Sequence, residues 1–393
     1  MDLSAVRATS EDRRIRVAVD AMGGDHAPDE VIHGALGYAA EHPDDDVILV
    51  GDQDRIARIA GASLARPNVS IVHATEVVEM DEHPALALRE KKDASILVAT
   101  ELVRRGDADA VVTAGHTGAA YAAAILRLGR LSGVDRPALA VQMITESGPF
   151  VLLDIGANPD STGENLYQYA EMGALFAEKV LHVPRPRVAL LSIGEERGKG
   201  DARITEATEL LEKSDLNFVG NIEGKDLVKH LADVVVCDAV VGNVVIKFFE
   251  GLSTFIFDLV AAEFRRPPRG PLAYALMKPG VDRIRAIFDY ERFGGSPLLG
   301  VKGTVIITHG RAKRRMVGFA LGVAAAVARA RIPDLIAEAL QGKPALSEDT
   351  SAAAPAGASP SDELAGERAP ASPSDNLGGE RSDSTSQPVE ADR

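Results

Sequence analysis

The stretch VAVDAMGGDHAP, from Val17 to Pro28, decides how the whole chain is read. The apolar positions Ile15, Val17 and Val19 predict a buried strand that stops at Asp20. Gly23 and Gly24 follow, then Asp25 and His26. Pro28 suits the first turn of a helix, and Asp29 and Glu30 suit its positive end. A strand, a glycine turn and a helix start bring backbone N–H groups close to a small anion. The carboxyl end of such a strand is also where open α/β sheets hold their ligands. An ordinary βα turn uses glycine in the same way, for its tolerance of positive φ. What favours a ligand site is that the construction recurs along the chain.

Working outward, the 393 residues suffice for one large or two modest domains. Hydrophobic residues make up 46%, yet there are only eleven Phe, six Tyr and no Trp. The core is therefore built from Ala, Val, Leu and Ile, the usual filling of buried parallel strands. A net charge of −15 argues against a general nucleic-acid binder. The single Cys excludes a disulfide framework and a Cys-based zinc site, and fits a reducing cytosol. No apolar run approaches the ~18–20 residues that span a bilayer. Residues 1–14 are polar, read as frayed, and lack the apolar core of a secretion signal.

Strand-like runs fall at Val47–Val50, Val69–Val72, Ala110–Thr113, Ala138–Val141, Phe150–Asp154, Val188–Ser192, Val234–Cys237 and Val305–Thr308. Helical periodicity falls at Val31–Ala40, Ser95–Arg105, Ala119–Arg130, Asn165–Val180, Thr205–Lys213, Val244–Ala262 and Met316–Arg331. This alternation predicts an α/β domain over residues 15–340, a mostly parallel Rossmann-like sheet with flanking helices. Residues 244–295 break the rhythm. A long apolar helix, the interruption RRPPRG (Arg265–Gly270), PLAYALMKPG and a second helix over Val281–Tyr290 predict an αα-hairpin. Its apolar tip, with Arg265, Arg266, Arg269 and Lys278 beside Leu272, Tyr274, Leu276 and Met277, suits either packing on a twin or an anionic membrane surface. After Gln341, Ser, Ala, Pro and acids dominate, and SPSDELAGER nearly repeats as SPSDNLGGER. Residues 341–393 carry ten acids against four bases and are expected to be a disordered acidic tail.

Further polar, glycine-rich segments follow the predicted strands. TAGHTGAA places Gly115, His116 and Thr117 at a helix start, where ring, hydroxyl and N–H groups can face an anion. In LLDIGANPDST, Asp154 ends a strand and Asn158 can donate to an oxygen or cap the next helix. LSIGEERGKG sets Lys199 among glycines, a mobile cation of the kind a phosphate site needs. GNIEGKD holds Asn221. In CDAVVGNVVIKFFEG, Asp238 ends a strand, Asn243 opens a long helix and Lys247 projects from it. THGRAKRRM places His309 after the last strand and then Arg311, Lys313, Arg314 and Arg315, where an acidic protein could dock. Cys237 sits in an apolar strand and reads as a buried structural thiol. No trio of His, Asp and Glu has metal-ligand spacing, and no Walker A loop, dinucleotide fingerprint or nucleophile elbow is present.

The ordered set DAMGGDHAP, TAGHTGA, LLDIGAN, LSIGEERGKG, GNIEGKD, GNVVIKFFEG and GGSPLLGVKGTVIITHG resembles the bacterial phosphate acyltransferases of phospholipid synthesis, over about Ile15 to Ala330. The resemblance implies an α/β fold akin to phosphate acetyltransferases and isopropylmalate-type dehydrogenases. It implies acyl transfer from acyl carrier protein to inorganic phosphate, with phosphopantetheine arriving on the carrier and no resident cofactor. A cytoplasmic homodimer with peripheral membrane association is also implied, feeding a membrane glycerol-3-phosphate acyltransferase. The chain departs from the family in Asp238-Ala239-Val240, where Asp-Gly-Phe is usual, and in the basic run after His309-Gly310. In such a reaction Lys199 and the N–H groups around Gly23, Gly24, Gly115 and Thr117 would hold phosphate. Asn158, Asn243 or His116 would serve the oxyanion, and His309 would protonate the leaving sulfur. Asp20, Asp25, Asp154, Asn221, Asp238 and Lys247 would support them. A short-chain phosphotransacetylase, a β-decarboxylating dehydrogenase and a non-enzymatic membrane adaptor remain alternatives.

Overall fold

Every apolar run read as a strand takes its place in one eleven-stranded sheet. Residues 13–145 and 147–341 are described by a computed structural model. The strands are β1 (Arg16–Asp20), β2 (Asp46–Gly51), β3 (Val69–His73), β4 (Ala110–Thr113), β5 (Ala138–Thr145), β6 (Gly148–Leu153), β7 (Arg187–Leu191), β8 (Asn217–Ile222), β9 (Val234–Val236), β10 (Ser296–Leu299) and β11 (Thr304–Ile307). Their spatial order is β3-β2-β1-β4-β11-β10-β5-β6-β9-β7-β8.

The first five strands in that order run parallel to one another. So do the last four. Between them, β10 is antiparallel to both β11 and β5, and β5 is antiparallel to β6. Three reversals leave the second parallel group running opposite to the first. The carboxyl ends of the two groups therefore lie at opposite edges of the sheet.

The helices are α1 (Asp29–Glu41), α2 (Gln53–Ala60), α3 (Pro84–Glu90), α4 (Ser95–Arg105), α5 (Thr117–Arg127), α6 (Gly163–Lys179), α7 (Ala202–Glu212), α8 (Ala239–Phe264), α9 (Arg269–Ile287), α10 (Arg314–Arg329) and α11 (Ile332–Leu340). Strand side chains alternate between the two faces. Val17 and Val19 of β1 join a core under α1, α2, α6, α7, α10 and α11, whereas Ala18 joins a second under α3, α4 and α5. A third, containing Leu152, Val235 and Ile246, lies under α8. Both faces are buried, which is why the strands read as continuous apolar runs.

Two expectations need correction. The second hairpin helix begins at Arg269, not Val281, and contains PLAYALMKPG. Pro271 falls in its first turn, where a missing N–H costs nothing, while Pro279 forfeits one hydrogen bond inside the helix. Arg13 and Arg14, read as frayed, are tied down: Arg13 pairs with Asp109 at 2.6 Å and Arg14 Nε with Asp46 at 2.7 Å. The expected tail disorder concerns residues that, from 342 onward, lie outside the described ones.

Helices α1 and α10 touch at Gly34, where a Cβ would come within 2.5 Å of the Arg314 carbonyl oxygen. Glu30 fastens the same crossing. It accepts from the Arg314 backbone N–H at 2.9 Å and from its guanidinium at 3.0 and 2.5 Å. The guanidinium lowers the Glu30 carboxyl from 4.5 to about 2. A depressed acid stabilises fully above its unfolded value and loses that contribution as pH falls through the folded one. Glu30→Gln should therefore lower the melting temperature near neutrality. The gap to wild type should close between pH 4.5 and about 2 in a calorimetric pH series.

Candidate active site

A cleft of about 460 Å³ opens over the central strands of the sheet. One wall comes from the first parallel group. The turns after β1 and β4 abut so closely that a Cβ on Gly23 would lie 2.6 Å from Asp20 Oδ2 and 2.9 Å from the Gly115 Cα. Behind them Asp20 accepts from Ser95 Oγ at 2.6 Å and Thr113 Oγ1 at 2.7 Å. Burial raises the Asp20 carboxyl against the pull of those hydroxyls. Asp20 thus braces the two turns from beneath. The Asp25 N–H donates to the Gly310 carbonyl at 2.8 Å and locks the β1 turn to the loop after β11.

The opposite wall comes from the second group. Asp154, fully buried, accepts through Oδ1 from the backbone N–H groups of Leu139, Gly156 and Ala157 at 3.0–3.1 Å. Through Oδ2 it accepts from the Asn158 N–H at 2.8 Å and the Asn158 amide at 3.1 Å. Burial holds its carboxyl above the ordinary value, with four backbone N–H groups pulling the other way. Helix α8 passes directly over this knot: a Cβ on Gly242 would lie 2.0 Å from the Asp154 carbonyl oxygen. From there the helix runs back along the sheet toward the first group. Asn243, Ile246, Lys247 and Glu250, spaced i, i+3, i+4 and i+7, form the face it turns to the cleft. Glu250 Oε2 reaches His309 Nε2, on the far wall, at 3.4 Å.

Of the sequence-predicted residues, the cleft gathers Asp25, Gly115, Thr117, Asn243, Lys247 and His309. Gly23, Gly24 and Asp20 stand behind its wall. His116 caps α5, its Nδ1 accepting from the Gly118 N–H at 3.0 Å. Asn158 spends both amide hydrogens inside the fold, on the Pro137 carbonyl at 2.5 Å and on Asp154, so it has none for an oxyanion. Asp238 caps α8 through the N–H groups of Val240 and Val241. Lys199 is exposed on the loop after β7 and is not among the cleft-lining residues. Its carbonyl accepts from Ser192 Oγ and Asn221 Nδ2. Cys237 is buried, its thiol pushed well up by that burial, and donates to the Asp154 carbonyl at 3.5 Å.

The basic run after β11 is also less free than its sequence reads. Arg314 belongs to Glu30, and Arg315 to Asp289 and Glu291. Arg311 lines the cleft with no partner for its guanidinium among the described residues. The residue that sequence reading passed over is Glu250. Its signal was legible: in GNVVIKFFEG only Asn243, Lys247 and Glu250 are polar, and they share one helical face.

A model of the family described as fatty acid synthesis protein matches residues 15–334. A phosphate acyltransferase of Desulfitobacterium hafniense is 49% identical over 312 residues, covering 79% of this chain and 93% of that one. One from Dictyoglomus turgidum is 44% identical over 329 residues, covering 83% and 98%. Among solved structures, a phosphotransacetylase of Streptococcus pyogenes superposes with a TM-score of 0.53 at 17% identity, covering 84% of this chain and 99% of the other. That likeness is one of fold. An α/β sheet with a cleft at its seam, matched along its length by such relatives, defines an acyltransferase. The chain belongs to the fatty acid synthesis protein family.

Gly242 is the tightest approach in the site. Gly242→Ala should lower stability by about 1–3 kcal/mol through overpacking. It should also lower turnover, because lifting α8 off Asp154 withdraws Asn243, Lys247 and Glu250 together. A urea midpoint and a turnover assay on the same preparation measure both.

Proposed function

We propose that this acyltransferase moves a fatty acyl group from acyl carrier protein to inorganic phosphate. The acyl phosphate formed would supply phosphatidic acid synthesis through a membrane glycerol-3-phosphate acyltransferase. The observation that carries this reading is the pair of cations, Lys247 and Arg311, with no partner among the described residues, facing one cleft beside the N-terminus of α5 at Thr117. Such a set suits a small dianion. The relatives' name, phosphate acyltransferase, agrees with it.

Phosphate is already a nucleophile at neutral pH, so no covalent enzyme intermediate is required. The protein has to position two reactants and stabilise the oxyanion that forms on the thioester carbonyl. Asn243, half-buried and with no hydrogen-bond partner among the described residues, is the side-chain donor we assign to that oxyanion. The cation role expected of Lys199 passes, in this reading, to Lys247. The pantetheine arm arrives on the carrier, and no resident cofactor is invoked.

Hydroxylamine trapping of acyl phosphate, from a long-chain acyl carrier protein with and without phosphate, tests the reaction. Phosphate-dependent hydroxamate is expected. Product from coenzyme A thioesters alone would make the enzyme a short-chain phosphotransacetylase instead. Lys247→Ala should raise the KM for phosphate and cost ~10²-fold in kcat/KM. Lys199→Ala should cost far less, and the reverse ranking would return the phosphate to the loop after β7.

We further propose a homodimer with peripheral membrane contact, both built on the α8–α9 hairpin. Val244, Phe248, Phe255 and Leu259 leave one side of α8 apolar and exposed, Phe248 by 68%. Near the turn, Leu272 and Leu276 are 66% and 76% exposed beside Arg265, Arg266 and Arg269. Among the described residues no single helix is long and apolar enough to cross a membrane. Phe248→Asp should shift sedimentation from dimer to monomer. Leu276→Glu should weaken flotation with anionic vesicles and leave the dimer intact.

A further inference from the structure

We infer that Glu250 is a positioning residue for the chemical step, holding His309 in the one tautomer that can relay a proton from phosphate to the leaving sulfur. The inference rests on the acyl transfer to phosphate proposed above. It begins with an anomaly. A cleft that must take a phosphate dianion and a thioester carries, on its lining helix, a carboxylate 85% withdrawn from solvent. An acid there repels the nucleophile unless it is committed to another group. Among the described residues its one side-chain partner is His309.

The two contacts of the imidazole then fix its protons. Glu250 Oε2, an acceptor, lies 3.4 Å from Nε2, and we place the hydrogen on that nitrogen. The Arg311 backbone N–H, a donor, lies 3.4 Å from Nδ1, so Nδ1 carries the lone pair. That second bond is long and is easily surrendered to a substrate. In that tautomer the basic nitrogen is Nδ1, on the Arg311 side of the ring, and Arg311 itself lines the cleft. The other charged groups facing the cleft are Lys247, Arg311 and Asp25. None of them touches the ring.

The step balances without a further reactant. As a phosphate oxygen bonds to the thioester carbon, the hydroxyl proton of monohydrogen phosphate passes to Nδ1. As the carbon–sulfur bond breaks, its electron pair goes to sulfur, and the proton passes from Nδ1 to the thiolate. Thioester plus monohydrogen phosphate becomes acyl phosphate dianion plus thiol. Throughout, Glu250 keeps the Nε2 hydrogen and offsets the transient positive charge on the ring. This is the orienting role that a carboxylate plays behind a catalytic histidine in acyl-transfer enzymes.

A double-mutant cycle on the full-length enzyme tests it, with acyl carrier protein thioester, phosphate and hydroxylamine trapping. Glu250→Gln and His309→Gln should each lower kcat by about 10²-fold. The phosphate KM should stay within about threefold, and the double variant should be no slower than the slower single one. Glu250→Asp should recover part of the rate, and it takes the place of Glu250→Gln in the cycle if that variant fails to fold by urea titration. Losses that multiply in the double variant, a Glu250→Gln effect confined to phosphate KM, or full activity in that variant would each overturn the relay. Failure of the underlying reading is distinguishable, since wild-type enzyme would then form no phosphate-dependent hydroxamate.

Discussion

Everything on the second wall of the cleft hangs from the buried Asp154 carboxylate. Five N–H groups converge on it, from the start of β5, from the turn after β6 and from the Asn158 side chain. An unpaired carboxylate at that depth is prohibitively costly, so the turn can take only the shape that delivers all those donors. The turn's outer surface is then a fixed ledge, and α8 rests on it at Gly242. Glu250 lies eight residues further on, about 12 Å along the helix axis. A knot at one edge of the sheet thereby places side chains against loops from the other edge.

That long reach explains what could and could not be read from the chain. Nine of the eleven strands, all but β8 and β10, were legible because both faces of the sheet are buried and their runs are nearly continuous. The polar loops after β1, β4 and β11 were legible as strand-end loops, and the fold gathers them into one wall. The loops after β6, β7 and β9 carry similar motifs and invited the same reading. The reversals at β10 and β5, two strands far apart in sequence, send that group of carboxyl ends to the opposite edge. Local composition holds no trace of such a reversal. From that edge Ile155, Gly156 and one face of α8 reach the cleft, whereas Lys199 and Asn158 look like site residues in the sequence and lie outside it.

Several motif residues act one layer behind the chemistry. Asp154 and Asp238 each follow a strand and collect donors from the segment after it, while Asp20 ends β1 and collects the hydroxyls of Ser95 and Thr113 from neighbouring elements. An aspartate at a strand end is as apt to organise a turn as to meet a ligand. Only the count of satisfied partners separates the two uses. Glu250 is the converse case, a helix residue outside any strand-end loop, marked by the polar face it shares with Asn243 and Lys247 and by the histidine it reaches across the cleft.

Helix α8 is one rigid rod with two occupations. Its inner face lines the cleft, and its outer face presents Val244, Phe248, Phe255 and Leu259 to whatever covers them. Residues 244 and 248 flank Lys247 within a single turn. A load on the outer face is therefore felt as rotation or translation of the inner one, with no intervening chain to absorb it. Whatever settles on the outer face and whatever enters the cleft thus meet the same two turns of helix from opposite sides.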